Sequence, residues 1–153
     1  MNRPAHGVLF DIESNIMPGK LLVIEDTDLH LAILARIAAQ AGFSVTRASS
    51  FDEAIKLLRE FDFDCMTLDL SLGERSGVEL LYRLSEMNCR TPIIIISASE
   101  RAVCEETVRV GENLNLNLCE LIVKPIDLAF LRETLRRVAI GNRQRQVLEA
   151  DGR

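Results

Sequence analysis

The sequence predicts an α/β fold, a parallel sheet of five strands with helices packed on both faces. Three observations carry that expectation. Five short strand-like runs, three of them rich in Leu, Ile and Val, alternate with five stretches whose apolar residues recur at helical spacing, the pattern of successive strand-to-helix crossovers. The strand runs are mostly apolar at consecutive rather than alternate positions, as in strands covered on both faces. Within the stretch FDFDCMTLDL, a strand from Phe63 to Asp69 ends in an aspartate, at the strand end where open α/β sheets take their ligands. The 153 residues, 48% of them hydrophobic, are enough for one domain with a sizeable core.

Taken in order, residues 1–19 show no sustained periodicity and contain Pro4, Gly7, Pro18 and Gly19, so they read as a flexible extension in which Val8, Leu9 and Phe10 dock at most weakly. Met17 is a candidate physiological start, because MPGKLLVIED opens directly on the first strand. That strand spans Lys20 to Glu25. Asp26 to Asp28 supply helix caps, and Gly42 is placed to end the helix that follows to about Ala41. Phe43 to Ala48 is a short strand, and Ser50 with Glu53 has capping-box spacing for a helix over Phe51 to Glu60.

After the Phe63 to Asp69 strand, Ser71 to Gly77 is a glycine-containing loop suited to tight turns near a ligand. Val78, Leu80, Leu81 and Leu84 form the apolar stripe of the next helix. Pro92 introduces the strand Ile93 to Ile96, which closes in Ser97-Ala98. Ser99 caps a helix to about Gly111. Leu114 to Leu118, with its Asn-Leu alternation, reads as a loop entering the strand Leu118 to Val123; Asp127 then caps a helix through Val138, with Gly141 marking its end. The expected organisation is an extension over 1–19, a domain over 20–140 and a tail over 141–153.

Bulk properties exclude several classes. A net charge of −5 gives no basic surface for nucleic acid or anionic membranes. Cys65, Cys89, Cys104 and Cys119 lack C-x-x-C spacing and lie in or beside apolar segments, which points to reduced, mostly buried thiols in a cytoplasmic protein rather than to zinc. The longest pure isoleucine run, Ile93 to Ile96, is far too short to span a bilayer.

The strand ends gather chemistry. Glu25 and Asp26 close the first strand, Asp69 the third, Ser97 the fourth and Lys124 the fifth. Two carboxylates about 4 Å apart repel by roughly 4 kcal/mol at an effective dielectric near 20, so such a cluster calls for a cation or a raised pKa. Mg²⁺ suits one or two carboxylates with retained waters and a phosphate oxygen, and Lys124 and the Ser97 hydroxyl can hold the remaining phosphoryl oxygens. The set reads as phosphoryl transfer to a carboxylate. His30, a lone histidine near a helix start, is assigned no chemistry.

These residues, in this order, resemble the receiver domain of bacterial two-component response regulators over about residues 20–140. The acidic pair matches Glu25-Asp26, the phosphoacceptor Asp69, the hydroxyl residue Ser97 with Ala98 after it, and the Lys-Pro pair Lys124-Pro125. The resemblance implies a flavodoxin-like (βα)5 three-layer sandwich with strand order 2-1-3-4-5, for which a receiver protein is a standard example, and a cis Lys124-Pro125 bond. It further implies that Asp26, Asp69 and the Ser71 carbonyl bind Mg²⁺ directly, that Glu25 acts through water, and that Ser97 and Lys124 hold the phosphoryl group. The donor is then a sensor histidine kinase or histidine phosphotransfer protein. With only 141–153 after the domain, a stand-alone receiver signalling to a protein effector or by homodimerisation is expected, without nucleic-acid or membrane contact. Leu121 stands where the family often has an aromatic residue, so a ring-based readout is not expected. The competing readings are a receiver-shaped interaction module that takes no phosphate and an aspartate-nucleophile phosphatase. Ser71, where such phosphatases usually carry a second Asp, disfavours the latter.

Overall fold

A computed structural model describes residues 18–71 and 76–152. Expectations about residues 1–17, including the Met17 start, and about the centre of the loop at 72–75 lie outside the described residues. Five parallel strands, β1 (Gly19–Ile24), β2 (Phe43–Ala48), β3 (Cys65–Asp69), β4 (Ile93–Ser97) and β5 (Leu118–Val123), lie in the order β2-β1-β3-β4-β5. Helices α1 (Asp28–Gln40), α2 (Phe51–Glu60), α3 (Gly77–Glu86), α4 (Arg101–Asn113) and α5 (Leu128–Asp151) connect or follow them. The doubly wound architecture expected from the sequence is the one observed.

The reason lies in the strands. Every residue of β3 and β4 is buried, so each strand feeds two cores. Leu22, Ile24, Met66, Leu68, Ile93 and Ile95 pack with α2 and α3, while Leu21, Val23, Cys65, Ile94 and Ile96 pack with α1 and α5. Edge strands β2 and β5 are only half covered.

Local signals act largely as read. Ser50 Oγ accepts from Glu53 N at 3.2 Å and Asp127 Oδ1 from Phe130 N at 3.1 Å. Gly42 takes φ +90° just past α1, a conformation that other L-residues rarely adopt. The Lys124-Pro125 bond is cis. The Asn-Leu segment is loop: Asn115 turns the chain at φ 58°, Leu116 is buried, and the β4–β5 register slips between Ile93 and Ile94, which leaves Cys119 as the extra residue of a bulge. At Gly111 a side chain would meet Leu118, so glycine permits β5 to close against α4.

Two strands and three helix ends differ from the sequence reading: β1 spans Gly19–Ile24 rather than Lys20 to Glu25, and β3 begins at Cys65 rather than Phe63. Thr27 stands at the α1 N-cap without a side-chain capping bond. The N-cap of α4 is Glu100 rather than Ser99, whose N–H is instead donated to Ser97 Oγ at 2.9 Å. The last helix does not stop at Val138 or Gly141 but runs on to Asp151. Gly141 has helical neighbours on both sides and no left-handed turn to make, and the Arg, Gln, Leu, Glu and Ala that follow favour helix strongly enough to carry it through.

Candidate functional site at the carboxyl ends of the strands

Parallel strands all deliver their last residues to one edge. Here β1 brings Glu25, β3 ends in Asp69, β4 ends in Ser97, and Lys124 follows β5. The Lys124 backbone N–H donates to the Ser97 carbonyl at 2.9 Å, which extends the β4–β5 ladder one step and fixes the base of the lysine. Three of these polar residues lie in the protein interior, Glu25 at 1% exposure, Asp69 at 5% and Ser97 at 0%. Such burial of charge is costly unless it is paired.

Lys124 does the pairing. Its Nζ donates to Asp69 Oδ2 at 2.7 Å and lies 3.8 Å from Glu25 Oε2. The other Asp69 oxygen accepts the Ser71 N–H at 2.9 Å, and Glu25 Oε1 accepts the Thr27 N–H at 3.1 Å. The two acids respond oppositely. Burial pushes the Glu25 carboxyl above its ordinary range, and the neighbouring Asp69 adds to the rise, outweighing the Thr27 amide and Lys124. Burial also pushes Asp69 upward, but the hydrogen bonds from Lys124, Ser71 and Glu25 more than offset it and hold the carboxyl below its usual value. Of the two acids, the environment thus favours the charged form more strongly at Asp69 and the protonated form more at Glu25.

Of the residues singled out from sequence, Glu25, Asp69 and Lys124 meet directly. Ser71 joins them through its backbone amide. Ser97 is buried beside them in the sheet, with its hydroxyl oxygen accepting from Ser99 N–H. Asp26 is exposed at the rim, where its Oδ1 accepts from Thr27 Oγ1 at 3.4 Å. His30 belongs to the site and was missed: its Nδ1 lies 3.2 Å from Lys124 Nζ and 3.6 Å from Glu25 Oε1. Glu25, His30 and Asp69 each offer one atom within 4.8 Å of the others, and the Lys124 ammonium is near all three residues. A groove of about 710 Å³ between α2 and α3, lined by Phe51, Ile55, Arg59 and Tyr82, contains none of these groups and has no part in this chemistry.

A carboxylate held by a lysine thus lies at the carboxyl edge of a 2-1-3-4-5 sheet, the edge where open α/β sheets take their ligands. The family model described as response regulator receiver domain matches residues 21–136, and the chain belongs to that family. Similar proteins include the transcriptional regulatory protein SrrA of Staphylococcus aureus, 33% identical over 80% of this chain and 47% of that protein. The transcriptional regulatory protein DltR of Streptococcus agalactiae is 29% identical over 86% of this chain and 55% of its own length. The chain thus spans about half the length of these two relatives, which are longer regulators. Among solved structures, a response regulator from Burkholderia pseudomallei with a phosphorylated aspartic acid, calcium ion and citrate aligns at TM-score 0.65 and 26% identity, covering 86% of this chain and 74% of that one. A CheY-like receiver domain protein from Methanospirillum hungatei aligns at TM-score 0.71 and 18% identity, covering 83% and 98%. The second likeness is one of fold.

Proposed function

We propose that Asp69 accepts a phosphoryl group from a phosphohistidine of a sensor histidine kinase or histidine phosphotransfer protein, and that the chain signals through the protein surface this changes. The observation that carries the reading is the buried Asp69 carboxylate, held by Lys124 at 2.7 Å and the Ser71 amide at 2.9 Å. A carboxylate oxygen attacks phosphorus, the P–N bond breaks, and the departing imidazole nitrogen keeps the electron pair. Lys124 then turns its protons toward the phosphoryl oxygens, and Ser97 supplies the hydroxyl on the neighbouring strand.

Mg²⁺ fits the donors present. Asp26 and Asp69 offer hard carboxylate oxygens, and the Ser71 amide bound to Asp69 puts that residue's backbone at the acid, so Asp26, Asp69 and the Ser71 carbonyl would hold the ion, with Glu25 contributing through water. When bound, the ion neutralises charge on the transferred group. The chain catalyses only its own phosphorylation and dephosphorylation in this reading. The receiver unit is 20–140, in keeping with the family match at 21–136. We place the output of the receiver in a contact with a protein effector or a second copy made by the α4, β5 and α5 face. A cytoplasmic site of action accords with four free thiols and with the absence, among the described residues, of a helix long and apolar enough to cross a membrane.

The test is labelling with a small phosphodonor such as acetyl phosphate, followed by intact-mass measurement. Wild type gains one phosphoryl group in Mg²⁺ and none in excess chelator, and Asp69→Asn gains none. Persistent labelling of Asp69→Asn overturns the assignment.

A further inference from the structure

His30 stands at the site with no part in the chemistry above. It occupies the first turn of α1, and its ring Nδ1 reaches to 3.2 Å from Lys124 Nζ across 94 residues of sequence. An ammonium has three protons and no lone pair, so in that contact Nδ1 is the acceptor and the ring proton sits on Nε2. The alternative donor geometry, Nδ1–H toward Glu25 Oε1, is 3.6 Å long and outside hydrogen-bond range. Lys124 is therefore held by two acceptors, the Asp69 carboxylate and the His30 ring, with Glu25 more distant at 3.8 Å.

That arrangement matters because lysine is a flexible chain ending in a compact charge, whose direction is set by whatever accepts its protons. A phosphoryl group on Asp69 introduces new anionic oxygens that compete for those protons. We propose that His30 is a positioning residue for the resting state: it fixes Lys124 on the unmodified Asp69, and phosphorylation must exchange the His30 contact for a phosphoryl oxygen. A contact made in one state and given up in the other biases the equilibrium by its own differential strength. His30 thus weights the switch toward rest, in contrast to Ser97 and Lys124, which favour the phosphorylated state. This rests on the reading of Asp69 as the phosphoryl acceptor.

The test uses the full chain and beryllofluoride, a non-covalent phosphoryl mimic, in Mg²⁺. Nitrogen-15 NMR of the wild-type ring shows the Nε2–H tautomer at rest, and Lys124→Met or saturation with the mimic removes that preference. His30→Leu takes up the mimic about five-fold more tightly than wild type, the effect of losing about one hydrogen bond from the resting state. His30→Asn, which keeps an acceptor close to the place of Nδ1, returns affinity toward wild type. A merely structural role would move the melting temperature but not this ordering. A resting ring protonated on Nδ1, or normal uptake by wild type with unchanged or weaker uptake by His30→Leu, overturns the inference and leaves Asp69 as acceptor. Failure of wild type to take the mimic overturns both. If His30→Leu does not fold, the wild-type tautomer and its loss in Lys124→Met decide the matter.

Discussion

Asp64 and Asp69 flank the same strand, five residues apart, and do opposite things. Asp64, at the amino end of β3, accepts the Lys20 backbone N–H at 2.7 Å in a solvent-exposed bond, and its backbone also pairs with Lys20 and with Asn142 of α5. It punctuates the sheet. Asp69, at the carboxyl end, is buried and shares a lysine with a second buried acid. Composition does not separate the two ends, since both carry acids and bases. What differs is whether water can substitute for a lost partner: at the amino ends it can, and at the carboxyl ends each group's charge depends on its neighbours.

Substitutions test that distinction by size. Lys124→Met leaves Asp69 buried without its cation and should cost about 3 kcal/mol in urea unfolding, an effect that a solvent-served site would not show. Glu25→Gln should raise the thermal midpoint by about 3 °C near neutral pH. The sign follows from linkage: Glu25 titrates above its ordinary value in the folded protein, so its contribution is fully present below that ordinary value and is lost as pH rises through the raised one. The gain from Gln should accordingly fade as pH is lowered through the raised value. Asp69 runs the other way, with its contribution lost as pH falls through its lowered value. At the amino end, Gly141→Ala should stabilise by about 0.7 kcal/mol, because a methyl there meets nothing within 4 Å and alanine is the better helix former. Asp64→Asn keeps an acceptor for Lys20 and should change stability by no more than about 0.5 kcal/mol. A larger loss than that of Lys124→Met would invert the comparison.

The fold was legible because strand burial writes itself into consecutive apolar residues, and because Glu25, Asp69, Ser97 and Lys124 each close such a run. Three things were not. His30 shows no local pattern, because its meaning comes from Lys124 and Glu25, one of which is 94 residues away, and only the docking of α1 on the sheet joins them. The length of α5 was hidden by Gly141, since a glycine looks the same in sequence whether it turns the chain or lies within a helix. Ser99 likewise has the chemistry of a cap, but its amide is taken by Ser97, which leaves Glu100 to begin the helix.

The 24 residues of α5 also have a mechanical consequence. At a rise of 1.5 Å per residue they make a rod about 36 Å long, whose first turn starts four residues after Lys124 and whose far part passes the opposite end of the sheet, where Asn142 touches Asp64. Such a rod is a pointer. A tilt of about 5° at its base displaces its tip by about 3 Å, roughly the length of a hydrogen bond, so a change at the lysine too small to disturb the core can be read as a distance on the far side of the molecule.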